Sequence, residues 1–366
     1  MHHFARQLGS PFPLLAAVGA RTSRIEIGTA VIDMRCENPL YMAEDAGAAD
    51  VISGGRLQLG ISRGSPEQVI DGWRYFGYQP QEGHTDADMA RGHAQVLLEV
   101  LRGEGFAQPS PRPMFPNPPG LLRVEPHSEG LRERIWWGAA SQATATWAAE
   151  LGMNLQSSTL INNESDKPFH LQQAEQIRAF RDAWQQAGHE REPRVSVSRS
   201  IFAVVDDRDR AYFGRPGQDR DEIGFIDAKT QSIFGRTYAA EPDVLIQQLK
   251  EDEAIAAADT LLLTVPNQLG VARYPRSAST GESRPHASSD GRDQSRPTPV
   301  CVLVALRLKL HVNRVLAVLM TGPAAGADPP PTQQVDGDLA AVEAGPGSCT
   351  PARRPGHQGW IATPPA

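Results

Sequence analysis

The sequence predicts an α/β fold in which parallel strands alternate with helices. Two observations predict it. Short segments rich in Val, Ile and Leu alternate with longer helical segments along the first 271 residues, which is the pattern of βαβ units. The strand segments are mostly apolar at consecutive positions, as expected where helices cover both faces of a sheet or surround a barrel.

Six segments have the composition of buried strands. Their residues are mostly apolar and often β-branched, and turn-forming residues bound them. Six strands fit a doubly wound sheet, whereas a (β/α)8 barrel needs eight, so these patterns alone leave the choice open. In chain order the strands are RIEIGTAVI (24–32), RLQLGIS (56–62), RIWWGA (134–139), NLQSS (154–158), RVSVSRSIFAVV (194–205) and DTLLLTV (259–265).

Five helices are predicted between these strands. The first begins with Asn38 as N-cap and Pro39 at the first helical position, and it stops at Gly54-Gly55. The other four are a long helix over roughly 85–102, SQATATWAAELG (141–152), KPFHLQQAEQIRAFRDAWQQAG (167–188) and EPDVLIQQLKEDEAIAAA (241–258).

Composition and charge exclude several classes of protein. The 366 residues carry a net charge of -7, which offers no cationic face for nucleic acid. The start lacks the basic and apolar regions of a signal peptide. The most apolar stretch, 300–320, contains Arg307, Lys309, His311 and Arg314, and each charge at membrane depth costs about 2.5–3.5 kcal/mol. We therefore expect a cytoplasmic protein with no membrane or nucleic-acid partner.

Motifs for metals and for two common enzyme classes are missing from the sequence. Cys36, Cys301 and Cys349 are too scattered for a CxxC site, and the histidines show no HxxH or HExxH spacing. No GxSxG elbow occurs and no GxGxxG follows a strand. We therefore expect no metal, no serine nucleophile and no classical dinucleotide site.

The last 95 residues differ in composition from the rest. Proline clusters such as DPPPTQQ recur in 272–366, and proline removes a backbone donor and fixes φ. We predict a mostly disordered C-terminal tail in which LRLKLHV, within 300–320, alternates like a strand.

A cationic turn follows the second predicted strand. Arg63 comes directly after RLQLGIS, and Gly64, Ser65 and Pro66 then lead toward a helix start. An anion there would gain from the positive charge and from free backbone N–H groups. The alternative is an arginine that pairs with a carboxylate or lies in solvent.

A turn of small and hydroxyl residues follows the third predicted strand. Gly138, Ala139 and Ala140 let a ligand approach the backbone, and Ser141 and Thr144 offer hydroxyls in the first helical turn. An ordinary N-cap at Ser141 explains the same pattern. Two such turns at separate strand ends fit one phosphorylated cofactor better than either does alone.

Taken together, these stretches resemble the bacterial luciferase-like, flavin-dependent monooxygenase superfamily. The resemblance implies a (β/α)8 TIM-barrel fold that binds flavin mononucleotide (FMN) or, in one branch, a deazaflavin, at the carboxyl ends of the strands. It spans essentially all of 1–271 and is carried by HHF, GSP, RIEIGTAV, NPLYMAEDAGAADVISGGRLQLGISRG, IWWGAASQATATWAAELG and DTLLLTVPNQLG.

The resemblance also implies roles for individual residues. Arg63, with Gly64 beside it, corresponds to a phosphate-contacting arginine, and Arg91 on the long helix to a further one. The second phosphate loop corresponds to Ala140, Ser141 and Thr144.

Two more sites follow from the same resemblance. Ala30-Val31 falls where the family often has a non-proline cis peptide beneath the flavin ring. His3 aligns with a catalytic histidine at the end of the family's second strand, and His2 precedes it. The alternative for both histidines is an unremarkable mobile terminus.

This sequence departs from the family at both ends. The family has a first strand, a first helix and most of a second strand before HHF, and a closing helix after VPNQLG. We therefore expect an incomplete barrel over 1–271 that lacks its first βα unit, followed by the tail 272–366. A catalytically inactive remnant or an interaction subunit is the resulting alternative to an enzyme.

The activity implied is that of a flavin-dependent monooxygenase, which inserts oxygen from a reduced-flavin hydroperoxide into a small organic substrate. Reduced FMN is the expected cofactor, molecular oxygen the co-substrate, a separate flavin reductase a partner, and a homodimer the assembly. Deazaflavin-dependent hydride transfer is the alternative chemistry. Residues 215–238 are either a lid over the site or a plain surface insertion.

Overall fold

The chain divides into Met1–Ala327 and Asp328–Ala366, and all described residues lie in the first of these. The predicted boundary at 271–272 lies outside them and remains a prediction. The computed structural model describes residues 3–4, 9–64, 69–214, 217, 219–226, 230–264 and 305–306.

Twelve strands and eight α-helices occur among the described residues. The strands are β1 (Ile27–Gly28), β2 (Ile32–Asp33), β3 (Leu57–Ser62), β4 (Ile135–Gly138), β5 (Asn154–Ser157), β6 (Leu160–Asn162), β7 (Val195–Ala203), β8 (Glu222–Phe225), β9 (Gln231–Phe234), β10 (Thr237–Ala240), β11 (Thr260–Leu263) and β12 (Ala305–Leu306). The helices are α1 (Phe12–Arg21), α2 (Pro39–Ser53), α3 (Asp86–Val100), α4 (Gln142–Glu150), α5 (Phe169–Gln186), α6 (Asp207–Phe213), α7 (Pro242–Lys250) and α8 (Glu253–Ala257).

The main sheet has the strand order of a barrel. Its strands follow one another in space as β1-β3-β4-β5-β7-β11, and every pair along this path is parallel. A doubly wound sheet would reverse its order at a switch point, whereas this order follows the chain throughout. The fold is therefore an α/β fold of the TIM-barrel type, which settles the choice that the strand patterns left open.

All six predicted strands are confirmed, and one of them is interrupted. The segment 24–32 forms β1 and the start of β2, and β1 and β2 pair with successive parts of β3. In the tail, β12 pairs antiparallel with β11 and overlaps the start of LRLKLHV. The rest of 272–366 lies outside the described residues.

One predicted helix is wrong in its continuity. The segment 241–258 forms two helices, α7 and α8, because the Asp252 side chain caps a new helix by accepting the N–H of Ile255. The helix α1 and the antiparallel sheet β6-β9-β8 were not predicted. Two strands of this antiparallel sheet, β8 and β9, lie within 215–238. That segment therefore contains strands and is not only a loop.

Inside the sheet, the first two βα units approach closely at Gly60. The Thr29 hydroxyl accepts the N–H of Gly60 at 3.0 Å and donates to its carbonyl at 2.7 Å. A Cβ at Gly60 would lie 2.2 Å from the Thr29 carbonyl oxygen. Only glycine leaves room for this contact, since the obstructing atom belongs to the backbone.

The Gly60→Ala variant is expected to lower the free energy of unfolding by about 1–3 kcal/mol, because a backbone must shift to admit the methyl group. The matched control is Gly92→Ala in α3, where a Cβ meets nothing within 4 Å. That change should raise stability by about 0.4–1 kcal/mol. Urea unfolding of both variants measures the difference, and equal stabilities would contradict the close approach.

Among the helices that the structure describes, none is both long enough and apolar enough to cross a bilayer.

Candidate functional site

The two predicted phosphate turns lie at the same edge of the sheet. Strands β3 and β4 are parallel neighbours, with Ile61 opposite Trp137. A Cβ placed on Gly138, the last residue of β4, would come 3.2 Å from the Cβ of Ser62, the last residue of β3. The turns that begin at Arg63 and at Ala139 therefore leave the sheet side by side.

The first turn presents an arginine with no partner in the described part of the chain. Arg63 is half-buried, and its guanidinium makes no hydrogen bond or ion pair with a described residue. The nearby carboxylate of Asp33 is already bound by Arg35 through contacts of 2.6–3.1 Å. Arg63 is therefore not paired with a carboxylate among the described residues, and the anion site stays a prediction beside an arginine that lies in solvent.

Gly64 allows this turn to pass the Asp33 side chain. Its φ of +86° lies in the region that favours glycine, and its N–H donates to the Ser62 hydroxyl at 2.8 Å. A Cβ at Gly64 would lie 2.2 Å from the Asp33 carboxylate. Any side chain here would displace the Asp33 carboxylate, which Arg35 holds.

The second turn is a helix N-terminus capped by two hydroxyls. The Ser141 side chain accepts the N–H of Thr144 at 3.2 Å, and the Thr144 side chain accepts the N–H of Ser141 at 3.3 Å. The two hydroxyl oxygens lie 3.0 Å apart. The N-cap that was the plainer interpretation of Ser141 is therefore present. It can also use both hydroxyl protons, because the Thr144 hydroxyl donates to the Ser141 carbonyl at 3.1 Å and the Ser141 hydroxyl can then donate to Thr144.

The turn between β1 and β2 brings a third predicted site to this edge. The peptide bond between Ala30 and Val31 is cis, as predicted. A Cβ on Gly138 would lie 3.1 Å from the Val31 side chain. Val31 therefore lies against the end of β4, between the two phosphate turns and the start of β2.

Arg91, the second arginine predicted to bind the phosphate, is less available for that role than Arg63. It lies on α3, half-exposed, and pairs with Asp88 one turn earlier at 2.5 Å. Hydrogen bonds from Thr85, with this arginine, lower the pKa of Asp88 to about 2. Arg91 would have to leave Asp88 to bind a phosphate, and the structure does not bring it into contact with the other predicted residues that it describes.

A carboxylate lies beside the second turn, and the sequence did not predict it. Both oxygens of Glu164 lie 3.4 Å from the backbone nitrogen of Gln142, the first residue of α4. They line one shallow polar cleft together with Ala140, Ser141 and Gln176. The N–H of Gln142 therefore already faces a carboxylate of this chain, and Glu164 would compete with any other anion at this turn.

His3 lies near this edge, but not at a strand end. It forms a turn with Phe4, so the placement of HHF at the end of a strand is wrong for these two residues. The Nε2 of His3 is 3.9 Å from Glu37, which follows β2, and its ring lies 4.6 Å from that of Phe76. His2 lies outside the described residues.

Glu37 is the second functional candidate that the sequence did not predict. Burial raises its pKa from 4.5 to about 7, and the carboxylates of Asp33 and Asp45 add to that shift. The sequence around Glu37 does not predict this raised pKa, because the shift arises from burial in the fold and from Asp33 across the turn.

The Glu37→Gln variant is expected to be more stable than the parent by about 1–3 kcal/mol at pH 8. The folded chain binds a proton at Glu37 more tightly than the unfolded chain, so stability is lost as pH rises from 4.5 to about 7. Near pH 4 the two proteins should be equally stable. Urea unfolding at both pH values measures this, with the exposed Glu44→Gln as control. A gain that is the same at both pH values would contradict the shift.

Within the ranges that the structure describes, no three His, Cys, Asp or Glu side chains are grouped closely enough to hold a metal ion.

The sequence is similar to parts of several curated proteins. A protein of Sinorhizobium fredii, whose function is uncharacterised, is 32% identical over 158 residues, 42% of this chain and 43% of that protein. The alkanal monooxygenase alpha chain of Photorhabdus luminescens is 26% identical over 196 residues, 52% of this chain and 49% of its own. The chain thus spans about half the length of the curated relatives it matches.

A solved structure and a family model complete the comparison. The oxygenating constituent of 3,6-diketocamphane monooxygenase from Pseudomonas putida, in complex with FMN, is 18% identical with a TM-score of 0.41, over 57% of each chain. The family model for luciferase-like monooxygenases matches residues 1–221. Because that match covers more than half of the 366 residues, the chain belongs to the luciferase-like monooxygenase family.

Proposed function

We propose that this chain is a flavin-dependent monooxygenase that binds reduced FMN at the carboxyl ends of β3 and β4 and oxidises a small organic substrate with molecular oxygen. Family membership supports the chemistry. The observation that carries the site is the half-buried Arg63, which has no partner in the described part of the chain and lies beside the hydroxyl-capped start of α4.

The residues at this edge fit a phosphate and a flat ring. Arg63 would supply the positive charge, and the Ser141 and Thr144 hydroxyls would donate to the phosphate in place of the donations they make within the cap. Gly64 and Ala140 keep the approach to the backbone free of large side chains. Glu164, at the start of α4, is an adverse neighbour for a phosphate.

The remaining predicted residues would act on the ring and on protons. Ala30 and Val31 would support the ring, and His3 would hold or move a proton at its Nε2, close to Glu37. The bound reduced flavin would supply the activation of oxygen. A separate flavin reductase would deliver reduced FMN, and a homodimer is the assembly we expect.

Parallel titrations with FMN, riboflavin and a deazaflavin cofactor test this proposal. We expect FMN to bind at least about tenfold more tightly than riboflavin, because only FMN carries the phosphate. The chain with reduced FMN should then consume oxygen. Tighter binding of the deazaflavin would favour the hydride-transfer alternative. Saturable binding of none of the three would favour an inactive remnant or an interaction subunit.

A further inference from the structure

Glu37 and His3 face each other near the edge of the sheet where the flavin site is proposed. The Nε2 atom of His3 lies 3.9 Å from Oε1 of Glu37. Glu37 follows β2, whose Asp33 side chain adjoins Gly64 in the first turn. With the residues that the structure describes, the Glu37 side chain makes no other ion pair or hydrogen bond. His3 is therefore its partner in that part of the chain.

Neighbouring residues orient the His3 ring toward this carboxylate. The ring centroid lies 4.6 Å from that of Phe76, and Phe76 in turn contacts the Phe4 ring at 6.0 Å. At the other ring nitrogen, a Cβ placed on Gly9 would lie 4.0 Å from Nδ1. The side chains of His3 and Glu37 are only 14% and 24% exposed, so water screens their interaction weakly.

The other charges around Glu37 do not neutralise it. Burial is the main cause that raises its pKa to about 7, and the carboxylates of Asp33 and Asp45 add to the rise. Arg35 is already bound by Asp33 at 2.6 Å. Besides His3, the titratable and charged groups near Glu37 are Asp33, Arg35, Cys36, Asp45 and Tyr78. Of this set, only His3 can bring a new positive charge to Glu37 by taking up a proton.

His3 and Glu37 each change the proton affinity of the other. A carboxylate favours the imidazolium beside it, and an imidazolium favours the carboxylate. The ordinary pKa of a histidine, about 6.5, is close to the value of about 7 for Glu37. Two coupled groups with similar affinities lose their protons in two steps that belong to the pair. The last proton is then held to a higher pH than either group would reach alone.

We propose that Glu37 is a positioning residue for the proton of His3: the two side chains hold one proton between them at neutral pH, and the imidazolium faces the carboxylate. This inference rests on the proposed function, in which His3 holds or moves a proton at the flavin site. When His3 releases this proton from Nε2, the pair becomes a neutral imidazole and a carboxylate, and no electron moves. Glu37 thus keeps His3 charged until the proton is needed.

An NMR titration of the histidine rings in the full chain, without flavin, tests this inference. The His3 signal is assigned by its loss in His3→Gln. We expect the midpoint of the His3 titration to fall by about 1 pH unit in Glu37→Gln, because a neutral amide does not stabilise the imidazolium. The exposed Glu44→Gln in α2 is the control and should leave the midpoint where it is in the parent.

The reverse measurement follows the Glu37 carboxyl in His3→Gln and needs no change at Glu37. Because coupling between two sites is reciprocal, this carboxyl should then titrate in a single step near pH 7, below the last step of the parent pair. A His3 midpoint that is the same in the parent and in Glu37→Gln, or a carboxyl titration that ignores His3, would overturn the inference. Coupled titration in a chain that binds no flavin would reject the proposed function alone, whereas independent titration in a chain that binds FMN would reject this inference alone.

Discussion

The Arg63→Met variant is expected to bind FMN about 10- to 100-fold more weakly than the parent while its affinity for riboflavin stays the same. A hydrogen bond to a charged partner contributes about 1.5–3 kcal/mol, and methionine keeps the length of the side chain without its charge. Because Arg63 has no other partner among the described residues, no existing ion pair is broken by the change.

Fluorescence titration of both ligands measures this effect. The Arg178→Met variant in α5 is the control, since Arg178 is 60% exposed in its side chain and lies on a different element. Its affinity for both ligands should equal that of the parent. Equal losses of FMN and riboflavin affinity in Arg63→Met would show that Arg63 supports the fold of the turn and does not bind the phosphate.

The Asp252→Asn variant is expected to lower the free energy of unfolding by about 3–5 kcal/mol, because it leaves a buried guanidinium without its countercharge. Arg199 binds both oxygens of Asp252, at 2.7 and 3.0 Å, and the Tyr238 hydroxyl donates to one of them at 2.6 Å. The side chains of Arg199 and Asp252 are 2% and 0% exposed. The pair joins β7 and β10 to the start of α8.

The pH dependence of this effect has a definite sign. Burial acts to raise the pKa of Asp252, but its contacts with Arg199 and Tyr238 outweigh burial and lower that pKa. The stabilising contribution is therefore present above the unfolded pKa, about 3.9, and is lost as pH falls through the lower folded pKa. Urea unfolding at neutral pH and in acid checks this, with the exposed Asp182→Asn as control. An unchanged stability at neutral pH would contradict the account.

Most strands of the main sheet were predictable from local sequence patterns. RLQLGIS and RIWWGA are predictable as strands because apolar residues fill them and glycine or helix-capping residues end them. The sequential order of the strands was not readable from these patterns, since six strands suit either of two sheet architectures. The resemblance to the family supported the barrel, and the pairing of neighbouring strands in the structure established it.

Two of the failures arise from pairing between distant parts of the chain, and one is local. The break at Asp252 is the local one, since this side chain caps a new helix by accepting the N–H of Ile255 inside a continuous helical pattern. The small antiparallel sheet pairs Asn162 with Ser232, in strands of three or four residues that carry little periodicity. Glu164 likewise reaches the start of α4 from a separate loop.

A crystal structure of the chain with bound FMN tests the central claim most directly. We predict one phosphate within hydrogen-bond distance of both the Arg63 guanidinium and the Ser141 hydroxyl, with the ring against Val31. FMN bound elsewhere, or a phosphate that reaches only one of the two turns, would contradict the account.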